Sequence, residues 1–400
     1  MITVLKGGLT RVPGFLAAGV RAGIKRRGLD IMLLANEDGP VPAAGSFTTN
    51  LVKGAPLQLT MEHLRNGKLA AVLMNSGCAN AYTGRRGIRD ARQMSRLTAK
   101  FLKMHSSDVA VASTGLIGSR LPMRRVGAGI KAAASELSNS REASLNAARA
   151  IMTTDTFPKE VTVRVKLEDG KTVTIAGIAK GAGMIRPRMK VATMFALILT
   201  DAAASSAALR AALSSSIGKS FNMITVDGDT STNDMVLLLA NGRAKNRPIT
   251  LGHPDRKFQA GLDYLLTRLA RMIVRDGEGS NHLIEVRVKN ARNEQEASRA
   301  ALAVAGSNLV KVAVFGRDPN WGRVIASLGY SGASFDPSKV IHLIKRGKPG
   351  PKRMLERARD IMRSREIEIH VNLAAGKAAA TALGCDLTYD YVKINSRYTT

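Results

Sequence analysis

The residues able to do chemistry are small and polar, and they sit on glycine-bounded segments: "NSGCANAYTG", "ASTGLIG", "MTTDTFPK", "AKGAG", "RDGEGSN", "RDPNWGR" and "KINSRYTT". Segments of this kind, joined to rigid elements, are where binding and catalysis concentrate, although each also reads as ordinary turn chemistry. No histidine falls in any of them, so a Ser-His-Asp arrangement has no base to offer. A nucleophile here needs another base, and a threonine made N-terminal by chain cleavage carries one. Its own α-amine titrates near pH 8, by the order of magnitude of such amines, and can take the hydroxyl proton. Thr193, in "KVATMFALILTDA", stands where this could happen, at the head of the apolar run Met194 to Leu199. On residue chemistry alone a plain strand-edge threonine remains the simpler reading, because β-branched residues favour strands.

Other site chemistries fail on spacing. Asp227, Asp229, Ser231 and Asn233 alternate as in a calcium loop, but the sixth position is Thr232 and the twelfth Leu238, where glycine and glutamate are needed. Gly127 and Gly129 lack the third glycine of a dinucleotide fingerprint, and no phosphate-loop sequence occurs. His63, His105, His253, His282, His342 and His370 are scattered, and Cys78 and Cys385 have no paired spacing, so neither a metal site nor a disulfide framework is expected.

Short apolar runs alternate with amphipathic helices, which places the chain in the α/β or α+β class. "KLAAVLMNSG" and "DVAVASTG" read as strands ending in glycine turns; the first leads to a helix carrying Ile88, Ala91, Met94, Leu97 and Phe101, the second to the helix "RRVGAGIKAAASEL". Val161, Val163 and Val165 alternate, and "EDGK" turns the chain back towards Val173 and Ile175, a hairpin. The next strand begins at Thr193. Then come the helix "AAALRAALSSSIG", the strands "NMITVDGD" and "DMVLLLANG", and a helix with Phe258, Leu262, Leu265, Leu269 and Met272 on one face. Beyond "RDGEGSN" we expect strand, helix, strand in "HLIEVRVKN", "EQEASRAALAVAG" and "LVKVAVFG", with a domain boundary near residues 276–281. "IKRGKPGPKR" reads as a surface loop.

Sixty Lys and Arg against 31 Asp and Glu give a net charge of +29, enough to attract anions from a distance. The cations are dispersed and aromatics make up only 4%, so base-stacking nucleic-acid recognition is not expected and a solvated basic surface is the simpler account. The N-terminal "MITVLKGGLTRVPGF" has no apolar stretch of signal-peptide length, and no segment approaches the roughly 18 apolar residues of a membrane span. A cytoplasmic protein without a membrane partner is therefore expected.

Taken together, "GSFTTNLVKGAP", "MNSGCANAYTG", "STGLIG", "AIMTTDTFPKE", "AKGAGMI", "ATMFALILTDA", "SFNMITVDGDTSTNDMVLLLANG", "DPNWGRVIASLGYSG" and "CDLTYDYVKINSRYTT" resemble the glutamate N-acetyltransferase (ornithine acetyltransferase) family almost end to end. The resemblance implies a layered sheet-helix fold of the ornithine acetyltransferase/DmpA-like kind, with two lobes and the active site between them. It implies self-cleavage between Ala192 and Thr193 into an α chain, residues 1–192, and a β chain, residues 193–400, which stay associated in a dimer of cleaved units. It further implies that the freed Thr193 accepts the acetyl group of N-acetylornithine and passes it to glutamate, in arginine biosynthesis. Thr114 and Gly115 map onto the family's oxyanion hole; apart from the resemblance they read as a capped glycine turn. Substrate contacts are implied for Thr153, chosen over Thr154, and for Lys180, Thr193, Glu278, Asn395 and Thr400. No bound cofactor is implied, and acetyl-CoA is an alternative acetyl donor.

The sequence departs from the family beside the cleavage site. Four residues, Arg188-Met189-Lys190-Val191, separate Pro187 from Ala192, where relatives usually have two, and Cys78 stands where Asn is commoner. The altered segment and the basic charge keep two rival readings in view. One is the same transfer to or from an amine presented by an acidic carrier protein; the other is an uncleaved relative that only binds anions.

Overall fold

A computed structural model describes residues 2–186, 194–344 and 363–397, with residues 341–344 described by their backbone alone. Its centre is a seven-stranded sheet in the order Ile2–Leu5, Lys159–Lys166, Thr172–Lys180, Phe195–Thr200, Met235–Ala240, Val41–Phe47 and Lys68–Leu69. A four-stranded sheet, Phe15–Val20, Ile31–Asn36, Ala71–Cys78 and Val109–Leu116, packs on one face of it.

The alternation of side chains along strands explains this layering. In the central strand Phe195–Thr200, Phe195, Leu197 and Leu199 join Met32, Leu34, Val72 and Met74 in the core between the two sheets. Ala196 and Ile198 point the other way, into a core shared with helices Ser206–Lys219 and Arg256–Arg275. The outer face of the smaller sheet, through Leu33, Leu73 and Val111, packs on Met94 and Ile130 of helices Gly84–Leu102 and Met123–Ser135. The result is four layers, helix, sheet, sheet, helix. A strand buried on both faces must be apolar throughout, which is why "FALILT" shows no polar alternation.

A third sheet, Ile341–Ile344, Glu366–Asn372, Leu283–Ala291 and Ala378–Cys385, builds its own core with helices Glu294–Gly306, Asn308–Phe315 and Trp321–Gly329. Residues 276–281 join the long helix Arg256–Arg275 to the first strand of this unit. No single described helix is long and apolar enough to cross a membrane; Glu294–Gly306 and Asn308–Phe315 pass that test only as a pair bent by 51°.

The Val-rich hairpin forms with Val163 opposite Ile175. Three expectations fail. "LVKVAVFG" is a helix, Asn308–Phe315: a short run broken only by Lys311 fits either period, and here Ser307 caps it while Val310 and Val314, one turn apart, face the core. "NMITVDGD" is not a strand but a 3-10 turn, Phe221–Met223, followed by a segment that makes single bridges, such as Ile224 with Leu383. "KLAAVLMNSG" is two strands, Lys68–Leu69 and Ala71–Cys78, which Ala70 passes from one sheet to the other. The "IKRGKPGPKR" loop falls, beyond Ile344, outside the described residues, and the strand expected from Thr193 is described from Phe195 onward.

Candidate active site

Two parallel strands, Ala71–Cys78 and Val109–Leu116, carry the first part of the site at their C-terminal ends. Ser113 donates a 2.5 Å hydrogen bond to Asn75, and Asn233 clips the same region by donating to the carbonyls of Ala79 and Ser113. The chain then reaches Thr114 and Gly115. Gly115 has φ +128°, and a Cβ there would lie 2.3 Å from the carbonyl carbon of Gly77, so close strand approach and backbone conformation both require glycine.

The central sheet supplies Lys180, the last residue of strand Thr172–Lys180, which registers opposite Phe195. Its side chain is buried, and its ammonium donates to Thr153 Oγ1 at 2.8 Å and to Thr114 Oγ1 at 3.3 Å. Burial lowers the Lys180 pKa; the Asp155 carboxylate works against this and the Lys159 charge adds to it. Each threonine hydroxyl that accepts from Lys180 keeps its own proton to donate elsewhere.

Asp155 organises the loop carrying Thr153. It accepts from the Thr153 amide at 3.0 Å, the Gly181 amide at 2.7 Å and the Lys159 ammonium at 2.6 Å. Burial alone would raise its pKa, but Lys159 and Lys180 together hold the carboxyl below the usual range. Lys159 also donates to Asp276 at 2.5 Å, and both side chains are essentially inaccessible to solvent. This buried triad ties the start of the hairpin to the loop that bears Glu278.

Glu278 and Asn395 close the other side. The Asn395 side-chain amide, on helix Tyr389–Ser396, donates to Glu278 Oε2 at 2.8 Å. A Cβ on Gly183 would collide with the Glu278 carboxylate at 2.3–2.5 Å, which is why this stretch of "AKGAG" must be bare. Thr114, Gly115, Thr153, Thr154, Lys180, Glu278 and Asn395 line one pocket of about 150 Å³, together with Met194, the residue after Thr193. Ala192, Thr193 and Thr400 lie outside the described residues, as does the insertion Arg188 to Val191.

Several supporting residues escaped sequence reasoning. Asp227, seen only as part of a failed calcium loop, accepts from the amides of Met184 and Ile185 at 2.6 and 2.8 Å. Its carboxyl is raised by burial. Burial also raises the Tyr391 phenol, with Asp227 and Glu278 nearby adding to the effect. Lys25, half-buried, donates its ammonium to the Met152 carbonyl at 2.8 Å, next in sequence to Thr153, and its pKa is lowered by burial. Only "MTTDTFPK", as a polar loop segment, hinted at Asp155. Cys78 and Cys385 are buried free thiols; burial pushes Cys385 up to about 11.

A sequence model described as the ArgJ family matches residues 16–400. The chain is 53% identical over 406 residues to the arginine biosynthesis bifunctional protein ArgJ of Symbiobacterium thermophilum, covering 99% of each. It is 46% identical over 410 residues to the glutamate N-acetyltransferase of Methanothermobacter thermautotrophicus, covering 99% of this chain and 98% of that one. Among solved structures, the ornithine acetyltransferase of Mycobacterium tuberculosis complexed with ornithine is similar at 43% identity and a TM-score of 0.45, covering 47% of this chain and 100% of that chain.

Proposed function

The chain belongs to the ArgJ family, as an acyltransferase of arginine biosynthesis, and from that premise we propose that it moves an acetyl group from N-acetylornithine to glutamate through a covalent acetyl-Thr193 intermediate. Processing comes first. The Thr193 hydroxyl oxygen attacks the Ala192 carbonyl carbon, the peptide C–N bond gives way to an ester, and water hydrolyses that ester. Ala192 leaves as a carboxylate, and Thr193 gains the free α-amine that serves as its base.

In the first half-reaction that amine takes the hydroxyl proton while Thr193 Oγ bonds to the acetyl carbon. The proton then passes to the departing α-nitrogen, the C–N bond breaks and ornithine leaves. In the second half-reaction the glutamate α-amine attacks the acetyl ester and restores the Thr193 hydroxyl. Both halves pass through an oxyanion. The Thr114 hydroxyl and the Gly115 N–H are the donors we assign to it, each worth about 2.7–4 kcal/mol in comparable sites. With Lys180 donating to Thr114 Oγ1 from behind, the threonine proton is free to face the oxyanion. Lys180 suits a substrate carboxylate with its remaining donor capacity, and Glu278 suits a substrate ammonium.

The observation that carries this reading is convergence. Thr114, Thr153, Lys180, Glu278 and Asn395, from well-separated segments, meet in one pocket whose wall includes Met194. The strand register also brings Phe195, two residues after Thr193, opposite Lys180.

Intact-mass analysis before and after incubation with N-acetylornithine tests the proposal. Two fragments are expected, one beginning at Thr193, and that fragment should become one acetyl group heavier. A single uncleaved chain that turns over substrate, or a Thr193→Ala variant that still transfers acetyl groups, would remove Thr193 from the mechanism.

A further inference from the structure

A second pocket, of about 520 Å³, shares the 276–282 loop with the first and is lined by Ser280, Asn281 and His282 together with Arg275, Arg317 and Arg365 among others. The pocket holds four arginines, the fourth being Arg363, and Arg275, Arg317 and Arg365 come from unrelated places. Arg275 ends helix Arg256–Arg275, Arg317 follows helix Asn308–Phe315, and Arg365 precedes strand Glu366–Asn372. A cation at a helix C-terminus is ordinarily favourable, which accounts for Arg275 and in part for Arg317. It does not account for Arg365, nor for the three facing a shared space.

Among the described residues, none of these three guanidinium groups makes a hydrogen bond or an ion pair. The pocket's own carboxylate, Glu366, does not neutralise them, because Arg271 takes it at 2.7 Å. Asp386 is likewise committed: it accepts from Ser280 and from the amides of Asn281 and His282, and lies 2.8 Å from His282 Nδ1. With that nitrogen engaged, Nε2 is the histidine's remaining polar atom. Convergent unpaired guanidiniums repel one another unless an anion joins them, and their forked donors match phosphate oxygens.

We propose that this pocket binds a phosphorylated ligand through a diphosphate-sized group, at a site separate from the acetyl-transfer pocket. Its volume falls within the range of small-molecule sites and exceeds what a bare diphosphate fills. Phe315 also lines it and offers an apolar wall for the group bearing the phosphates; its ring packs edge-on against Tyr389 at 5.4 Å. Tyr389 opens the helix that carries Asn395, and Ser280 to His282 share a loop with Glu278, so an occupant would touch the Glu278 loop directly and the Asn395 helix through Phe315.

The proposal is independent of acetyl transfer and is tested by calorimetric titration of the full protein with inorganic pyrophosphate and, separately, with adenosine diphosphate, at physiological ionic strength. Saturable binding at one site per chain is expected. Arg317→Ala and Arg365→Ala should each weaken it about tenfold or more, and Arg96→Ala, on an exposed helix face elsewhere, should leave it unchanged. Thermal unfolding of each variant verifies that it is folded. Tighter binding of the nucleotide assigns the site to a nucleotide-like carrier using the Phe315 wall, and equal binding assigns it to the free anion. Absence of saturable binding, or equal affinities in the Arg317, Arg365 and Arg96 variants, overturns the proposal.

Discussion

Lys180 is buried with its ammonium on two threonine hydroxyls. Burial holds its pKa below 10.5, so between that lowered value and 10.5 the unfolded chain binds more protons than the native one. Stability therefore rises with pH across this window, and the charged form is what costs. Replacing the residue with Met removes that cost. We expect Lys180→Met to show its most favourable stability relative to wild type near about pH 7, and to lose that advantage as pH approaches about 10, as read from urea unfolding at both values. An advantage that instead grew with pH would contradict a desolvated ammonium. Thr114 makes a separate prediction: Thr114→Val should lower kcat by about 10²–10³-fold with little change in the unfolding midpoint, since its Oγ1 accepts only a long bond from Lys180. Unchanged turnover would remove the hydroxyl from the oxyanion site.

At the scale of elements, the site depends on the buried Asp155–Lys159–Asp276 triad, which joins the Thr153 loop, the hairpin and the Glu278 loop. Lys159→Met leaves two buried carboxylates without their cation and should cost about 3–5 kcal/mol in chemical denaturation. Adding Asp155→Asn and Asp276→Asn to that variant should recover a large part of the loss; a loss that merely accumulated would mean the triad is not acting as a charge-balanced unit. Elements with a clear period were legible in the sequence, among them the hairpin with Val163 opposite Ile175 and the helix burying Phe258, Leu262, Leu265 and Leu269. The run "LVKVAVFG" was not, because so short a run, apolar but for Lys311, satisfies both periods and only the neighbouring sheet selects one. The division of "KLAAVLMNSG" between two sheets was equally hidden, since the apolar, buried run Leu69 to Met74 crosses the boundary unbroken.

Across the whole molecule, strand Phe195–Thr200 lies between Thr172–Lys180 and Met235–Ala240, so the segments on either side of the Ala192–Thr193 bond are knit into one sheet. Phe195, Leu197, Ile198 and Leu199 of that strand are all buried and contribute about 1.5–3 kcal/mol each, so together they oppose separation of the two segments. Cleaved halves should therefore co-elute one-to-one in native size-exclusion chromatography and separate only in denaturant; a half eluting alone from native buffer would contradict this. The sequence by itself determined the mixed α/β class, the strand and helix at each strongly periodic segment, and, through its ordered motifs, the family resemblance and the small set of polar residues worth watching. Only the tertiary structure decided which of them meet: that Lys180 reaches Thr114 and Thr153, that Asn395 holds Glu278, and that Asp155 and Asp227 brace the surrounding loops. Periodicity reports which face of an element is buried, a local property. The meeting of side chains from distant segments depends instead on sheet order, register and burial, which follow from packing the whole chain at once.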